Sequence, residues 1–172
     1  MASSSFNFVH FLIYGLCFAT LVSSSLENEL KKPETPLGAI NDAKFSNLTQ
    51  SGKQYVGYNL YMSFIDFIEH CHKLGLQPAN VLTKEENDVL TTYLDGNFAD
   101  PKYFWLGGAD IGREGRYYWI ASLSEFTFTS WGPGYPNGGR DENCATIYGG
   151  DGSWYDQYCT NDGVQPLCQT IP

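Results

Sequence analysis

The apolar positions change their spacing as the chain proceeds. From Phe6 to Val22 they are almost continuous, with Phe8, Val9, Phe11, Leu12, Ile13 and Leu16 in a stretch without Asp, Glu, Lys or Arg through residue 25. Ser23-Ser24-Ser25 then offers a small-residue cleavage point ahead of Glu27, which predicts a secretory signal peptide over 1–25. The absence of Lys and Arg at its start departs from the usual pattern, and the apolar run is short for a membrane span. Residues 26–50, with Lys31-Lys32-Pro33 and Thr35-Pro36, have few apolar anchors and no heptad, and are predicted to be an amino-terminal tail. The folded domain is expected over 51–172.

From residue 60 the spacing becomes helical. Leu60, Phe64, Phe67, Ile68, Cys71 and Leu74 share one face, and Gly75 supplies a stop. A second helix is announced by Thr83-Lys84-Glu85-Glu86, where Thr83 can cap the amide of Glu86 and Glu86 can reach back in a capping box. Val89, Leu90, Tyr93 and Leu94 give it a buried stripe, and Asp95-Gly96-Asn97 ends it. After residue 100 short strands take over. Tyr103 to Leu106, Arg116 to Ile120, Cys144 to Tyr148 and Gln165 to Gln169 are the candidates, with turns expected at Gly107-Gly108 and from Gly112 to Gly115. Ser122 to Asn143 has little regular pattern, and a loop of that length in a compact domain is usually functional or stapled.

Composition narrows the function classes. The formal net charge is −9, all of it after the signal segment, and no basic run exists to neutralise phosphates, so a nucleic-acid partner is excluded. No second long apolar run follows, so no membrane span is expected in the mature chain. Sixteen per cent aromatic residues with 18 glycines points to short strands, turns and a partly irregular, ring-packed fold. Once Cys17 leaves with the signal, Cys71, Cys144, Cys159 and Cys168 remain, an even set that reads as two disulfides in an oxidising compartment, with the pairing open. Zinc is disfavoured because no Cys-x-x-Cys pair occurs and His70 and His72 point to different helix faces. Asn47-Leu48-Thr49 is an N-glycosylation sequon, consistent with a secreted glycoprotein.

Taken in order, Trp105-Leu106-Gly107-Gly108, Glu114-Gly115, Trp119, Trp131, Pro136-Asn137, Glu142-Asn143-Cys144, Trp154-Tyr155-Asp156, Cys159 and Cys168 resemble the C-type lectin domain over roughly residues 51–170. The "ADIGREGRYYW" and "GGRDENC" stretches look most like secreted arthropod members. The resemblance implies an α+β fold, with two helices on a small, mostly antiparallel sheet and a long irregular loop region. It also implies two disulfides, Cys71–Cys168 and Cys144–Cys159, in the short form without an extra amino-terminal bridge.

In sugar-binding members of that family a calcium ion in the long loop binds two sugar hydroxyls. Calcium is a hard cation wanting six to eight oxygens, so carboxylates and amide carbonyls must converge. Five side chains come from a Glu-Pro-Asn or Gln-Pro-Asp triplet, an isolated Glu and a Trp-Asn-Asp triplet. Carried over singly, Asn137, Glu142 and Asp156 fit, whereas Tyr135 and Tyr155 stand in the two remaining places. A neutral phenol is a poor calcium ligand, so the calcium site is expected to be partly degenerate. The two tyrosines instead offer aromatic faces to a sugar ring or a protein partner. The expected sugar-binding set is therefore Asn137, Glu142, Asp156, Tyr135 and Tyr155, with a lean to mannose-type sugars from Asn137. The triplet proline of the family is cis, which sets the same expectation for Tyr135–Pro136.

The resulting expectation is a secreted, carbohydrate-binding lectin whose partners are glycans or glycoproteins. The alternative is a calcium-independent relative binding a protein or other non-sugar ligand. An enzyme using Glu142 and Asp156 as an acid/base pair is disfavoured, because no nucleophile motif accompanies them and the mature histidines sit on the first helix.

Overall fold

The computed structural model describes residues 43–46, 51–100 and 102–171. The expected signal peptide, most of the tail and the Asn47 sequon lie outside the described residues. Elements follow in the order β1 (Ala43–Phe45), β2 (Tyr55–Tyr58), α1 (Phe64–Lys73), β3 (Gln77–Pro78), α2 (Lys84–Asn97), β4 (Tyr103–Ala109), β5 (Tyr118–Trp119), β6 (Ser124–Glu125), a 3-10 turn at Gly139–Asp141, β7 (Cys144–Tyr148), β8 (Trp154–Gln157) and β9 (Gln165–Gln169). β1 lies in the segment read as a tail.

Among the described residues the strands join in the order β1-β2-β9-β4-β5-β6, with β3 on β9, β7 on β4, and β8 on β7. All pairings are antiparallel except β4 with β9, which is parallel. The fold is thus the α+β arrangement expected. No helix among the described residues is long and apolar enough to cross a membrane.

Both helices start where polar caps dictate. Ser63 precedes α1, its hydroxyl accepting from the Asp66 N–H, and Phe64, Phe67 and Cys71 form the buried stripe. Leu60 therefore falls outside the helix and is 40% exposed, a departure from the face read in the sequence. At the far end Gly75 adopts a φ of +71°, and the Leu76 N–H closes on the Cys71 carbonyl at 2.9 Å. Thr83 caps α2 as expected, accepting from the Glu86 N–H at 3.2 Å.

Glu86 does not close the capping box. Its Oε2 accepts from the Leu82 N–H at 2.8 Å and pairs with Lys53 at 2.7 Å, while Oε1 accepts from the Ser51 hydroxyl at 2.8 Å. Lys53 and Glu86 are both buried, and Lys53 also donates to the Asn80 side-chain oxygen at 2.7 Å. Burial holds the Lys53 pKa below its ordinary value despite the attraction of Glu86.

Gly107 and Gly108 are not turn residues. They lie inside β4, because a Cβ on Gly107 would meet Pro78 Cβ at 2.6 Å and one on Gly108 would meet Phe126 Cζ at 2.2 Å. The turn falls at Gly112 and Gly115, with φ of +90° and +76°.

One cluster joins α2 to the inner faces of β4, β7 and β8 through Leu90, Leu94, Phe104, Leu106, Ile147 and Trp154. A second packs α1 against β2, β4 and β9. Cys71–Cys168 ties α1 to β9 with a Cα separation of 5.5 Å, and Cys144–Cys159 brackets the β7–β8 hairpin at 5.2 Å. Both pairings are those the resemblance implied.

Candidate functional site

The long segment between β5 and β7 is held by rings. Phe126 stacks on Trp119 with centroids 4.0 Å apart, and Phe128 and Trp131 meet Trp154 edge-on at 5.6 and 6.0 Å. Trp154 is fully buried, and its indole N–H donates to Asn87 Oδ1 at 2.8 Å, so the hairpin is keyed to α2. The loop backbone then zips along β8. The Trp154 N–H donates to the Ser130 carbonyl at 2.8 Å, and the Gly132 N–H to the Trp154 carbonyl at 2.9 Å.

Strand alternation buries Trp154 and Asp156 and leaves Tyr155 half-buried on the other face. Asp156 is 1% exposed, and its Oδ2 accepts from the N–H groups of Asn137 and Gly138 at 2.8 and 2.7 Å. Its Oδ1 is buried without a hydrogen-bond partner. The Tyr135–Pro136 peptide is cis, as the resemblance implied. Gly138 has no side chain for a local reason: a Cβ there would lie 2.5 Å from Glu142 Oε2. Asn137, Glu142 and Asp156 are thereby gathered around one backbone corner, Asn137 exposed, Glu142 half-buried and Asp156 buried. Burial, then the carboxylates of Asp156 and Asp141, hold the Glu142 carboxyl above its ordinary range.

Tyr135 and Tyr155 complete the expected set in a different chemical sense. Their rings meet edge-to-face at 4.7 Å with an interplanar angle of 79°. Two of five expected calcium-ligand places are therefore occupied by aromatic rings packed on each other. Asp156 has one carboxylate oxygen committed to the loop backbone and one free of protein partners. Among the described residues no group of three or more His, Cys, Asp or Glu side chains is placed to hold a metal ion. Residues Asn137, Glu142 and Asp156 fall short of the six to eight oxygens of a calcium cage, and the set does not fit an intact one.

Next to this corner is a feature the sequence reading passed over. Asp110, 2% exposed, accepts from the Gly115 N–H at 2.8 Å through Oδ2, and its Oδ1 has no partner. It lines a cavity of about 420 Å³ together with Arg113, Glu114, Arg140 and Asn143. Burial, with Asp156 adding to it, raises the Asp110 pKa. Tyr117, 6% exposed, is pushed up by burial and then by Asp110, Asp156, Glu114 and Glu142, so these carboxylates form one acidic neighbourhood. The sequence carried a signal for it, Asp110 and Glu114 flanking a glycine turn, but nothing local placed that turn beside Glu142.

A family model described as "Lectin C-type domain" matches residues 61–170. C-type lectin mosGCTL-7 of Aedes aegypti is 29% identical over 97 residues, which cover 55% of this chain and 65% of that protein. Mannose-binding protein of Gallus gallus is 29% identical over 99 residues, covering 58% of this chain and 37% of that protein. The chain thus spans less than two thirds of either curated relative. Among solved structures, the cow C-type carbohydrate-recognition domain of CD23, determined in the presence of a GlcNAc2Man3 oligosaccharide, superposes with a TM-score of 0.63 at 24% identity. That match covers 77% of this chain and 95% of the cow chain, and bears on the fold.

Proposed function

Because the chain belongs to the C-type lectin domain family, we propose that it is a secreted carbohydrate-binding protein, not an enzyme, which receives a sugar at the corner formed by Tyr135, Asn137, Glu142, Tyr155 and Asp156. What supports this reading is the convergence of the loop on Asp156: two backbone N–H groups, of Asn137 and Gly138, are bound to one carboxylate, with Gly138 against Glu142 and the Tyr135 ring on Tyr155. Carboxylate and amide oxygens accept from sugar hydroxyls, and a phenol ring covers the apolar face of a pyranose. Asn137 in the third triplet place supports the lean to mannose-type sugars. Two disulfides fit an oxidising, extracellular setting, with the lectin domain over 51–172 joined at its edge by β1 from the preceding segment, and residues 1–25 as the export signal.

Calcium enters this reading as a partly degenerate site. Glu142, Asn137 and the uncommitted Asp156 Oδ1 are what remains to receive it, and the tyrosine pair supplies contact in place of the two lost ligands. One such site holds a monosaccharide at about millimolar strength, roughly −4 kcal/mol. A glycan array with calcium and again with chelator tests the proposal. Binding that survives chelator and weakens in Tyr155→Ala supports an aromatic-led site. Binding abolished by chelator means that calcium is retained, and a thermal shift at millimolar calcium should then vanish in Glu142→Ala. Silence in both conditions sinks the sugar reading and leaves the second one. That second reading is a calcium-independent role toward a protein or other non-sugar ligand, favoured by the same Tyr135–Tyr155 contact.

A further inference from the structure

The tyrosine pair does not stand alone. Tyr155 meets Tyr103 with ring centroids 5.9 Å apart, and Tyr103 meets Tyr148 at 5.1 Å. With the 4.7 Å step from Tyr135 to Tyr155, four rings form an unbroken chain of contacts that runs from the Tyr135 loop to Tyr155 on β8, over Thr146 of β7 to Tyr103 on β4, and back to Tyr148 at the end of β7. The register explains the alignment: Tyr103 is paired with Tyr148 across β4 and β7, and Tyr155 is paired with Thr146 on the neighbouring rung of the hairpin.

These rings are not part of the core. Trp154 and Phe104, adjacent to Tyr155 and Tyr103 in sequence, are fully buried on the inner face, whereas Tyr103 is 37% exposed and Tyr135, Tyr148 and Tyr155 are half-buried. Glycine backbone backs two of them, since a Cβ on Gly132 would lie 3.0 Å from the Tyr155 ring and one on Gly150 would lie 2.5 Å from the Tyr148 ring. Rings so supported are fixed in place before any ligand arrives, and tyrosine loses little side-chain entropy on contact.

We propose that the Tyr135–Tyr155–Tyr103–Tyr148 stripe is an extended subsite for a neutral, linear oligosaccharide, continuing from the sugar corner at Asn137. It rests on the carbohydrate reading and deepens it, from a terminal sugar to a chain. The ring-to-ring steps, 4.7, 5.9 and 5.1 Å, are comparable with one hexose unit, so successive sugars of an unbranched chain that curves over β7 meet successive phenols. The rim is acidic: Tyr148 donates to Asp100 at 3.0 Å, Asp151 is exposed nearby, and the charge of Lys102 is paired with Asp95 at 2.6 Å. Carboxylates accept from sugar hydroxyls and repel acidic sugars, which selects a neutral chain.

Calorimetric titration of the disulfide-intact protein with mannose, glucose, galactose and N-acetylglucosamine, and with the linear tetrasaccharide of each, tests this. The wild type is expected to bind at least one tetrasaccharide about tenfold more tightly than its monosaccharide, a gain of about 1.4 kcal/mol. Tyr103→Ala and Tyr148→Ala should each erase most of that gain without changing monosaccharide affinity, and Tyr103→Phe should keep it. Equal affinity for monomers and tetramers, equal loss of both in Tyr103→Ala, or tighter binding of tetragalacturonate than of the neutral tetramers overturns the stripe and leaves the sugar corner standing. Absence of binding to every saccharide removes the carbohydrate reading and the stripe with it. Thermal midpoints of the variants confirm that each is folded.

Discussion

Asp156 does two jobs with one carboxylate. Oδ2 holds the loop through the amides of Asn137 and Gly138, and Oδ1 sits buried without a partner beside the acidic neighbourhood of Glu142 and Asp110. Two charge-assisted hydrogen bonds are worth more than the relief of one orphaned oxygen, so Asp156→Ala should cost about 2 kcal/mol in urea unfolding. Amide exchange at Asn137 and Gly138 should accelerate in that variant; unchanged protection there would show that the loop is held by something else. At this scale the sequence was legible wherever a residue's partner is near in the chain. Thr83 announces its cap on Glu86, and Asn137, Glu142 and Asp156 stand in a recognisable motif. Glu86 was misread because, besides the Leu82 N–H just ahead of the cap, the groups it serves, Lys53 and Ser51, come from a segment well before α2. Gly107 and Gly108 were misread for the same reason: Pro78 and Phe126, not a turn, exclude a side chain there.

Within α1 a conflict sits in the last turn. A basic residue there suits the helix dipole, but His70 is half-buried, its Nε2 has no partner, and the Tyr58 ring meets it edge-on at 4.8 Å. Burial, and then Lys73, hold its pKa below the ordinary 6.5. Lys73 is itself engaged with Glu69 at 2.8 Å. With the native pKa depressed, the unfolded chain binds more protons between the two values, so stability falls as pH drops from about 6.5 to the native pKa and the contribution is flat below it. Unfolding free energies measured from pH 8 to pH 5 should show this slope in the wild type and lose it in His70→Phe; identical slopes would remove His70 from the account. Both helices and the strands β4, β5, β7 and β9 were readable from period, caps and aromatic runs, whereas β1, β2, β3 and β6 were passed over. β8 and the ring-held loop were not readable, because Phe126, Phe128 and Trp131 follow no local period and make sense only around the buried Trp154.

For the whole molecule, the disulfides divide the labour. Cys71–Cys168 closes a span of 97 residues and Cys144–Cys159 one of 15. On the loop-entropy model these are worth about 4.7 and about 3 kcal/mol respectively. Cys144→Ser with Cys159→Ser should therefore lower unfolding free energy by about 3 kcal/mol and, because the bridge brackets the hairpin that carries Tyr155 and Asp156, weaken glycan binding as well. A stability loss with unaltered binding would mean that Trp154 and Asn87 alone position the hairpin.

β9 lies between β2 and β4, and the Gln54 and Thr170 backbones are bonded to each other, the Thr170 N–H reaching the Gln54 carbonyl at 2.9 Å and the Thr170 hydroxyl accepting from the Gln54 N–H at 2.9 Å. Entrance and exit of the domain are therefore neighbours. A circular permutant that joins residue 171 to residue 51 through a short linker and opens at the exposed Ser122–Leu123 turn keeps every strand pairing from β2 to β9, and it should fold with both bridges formed.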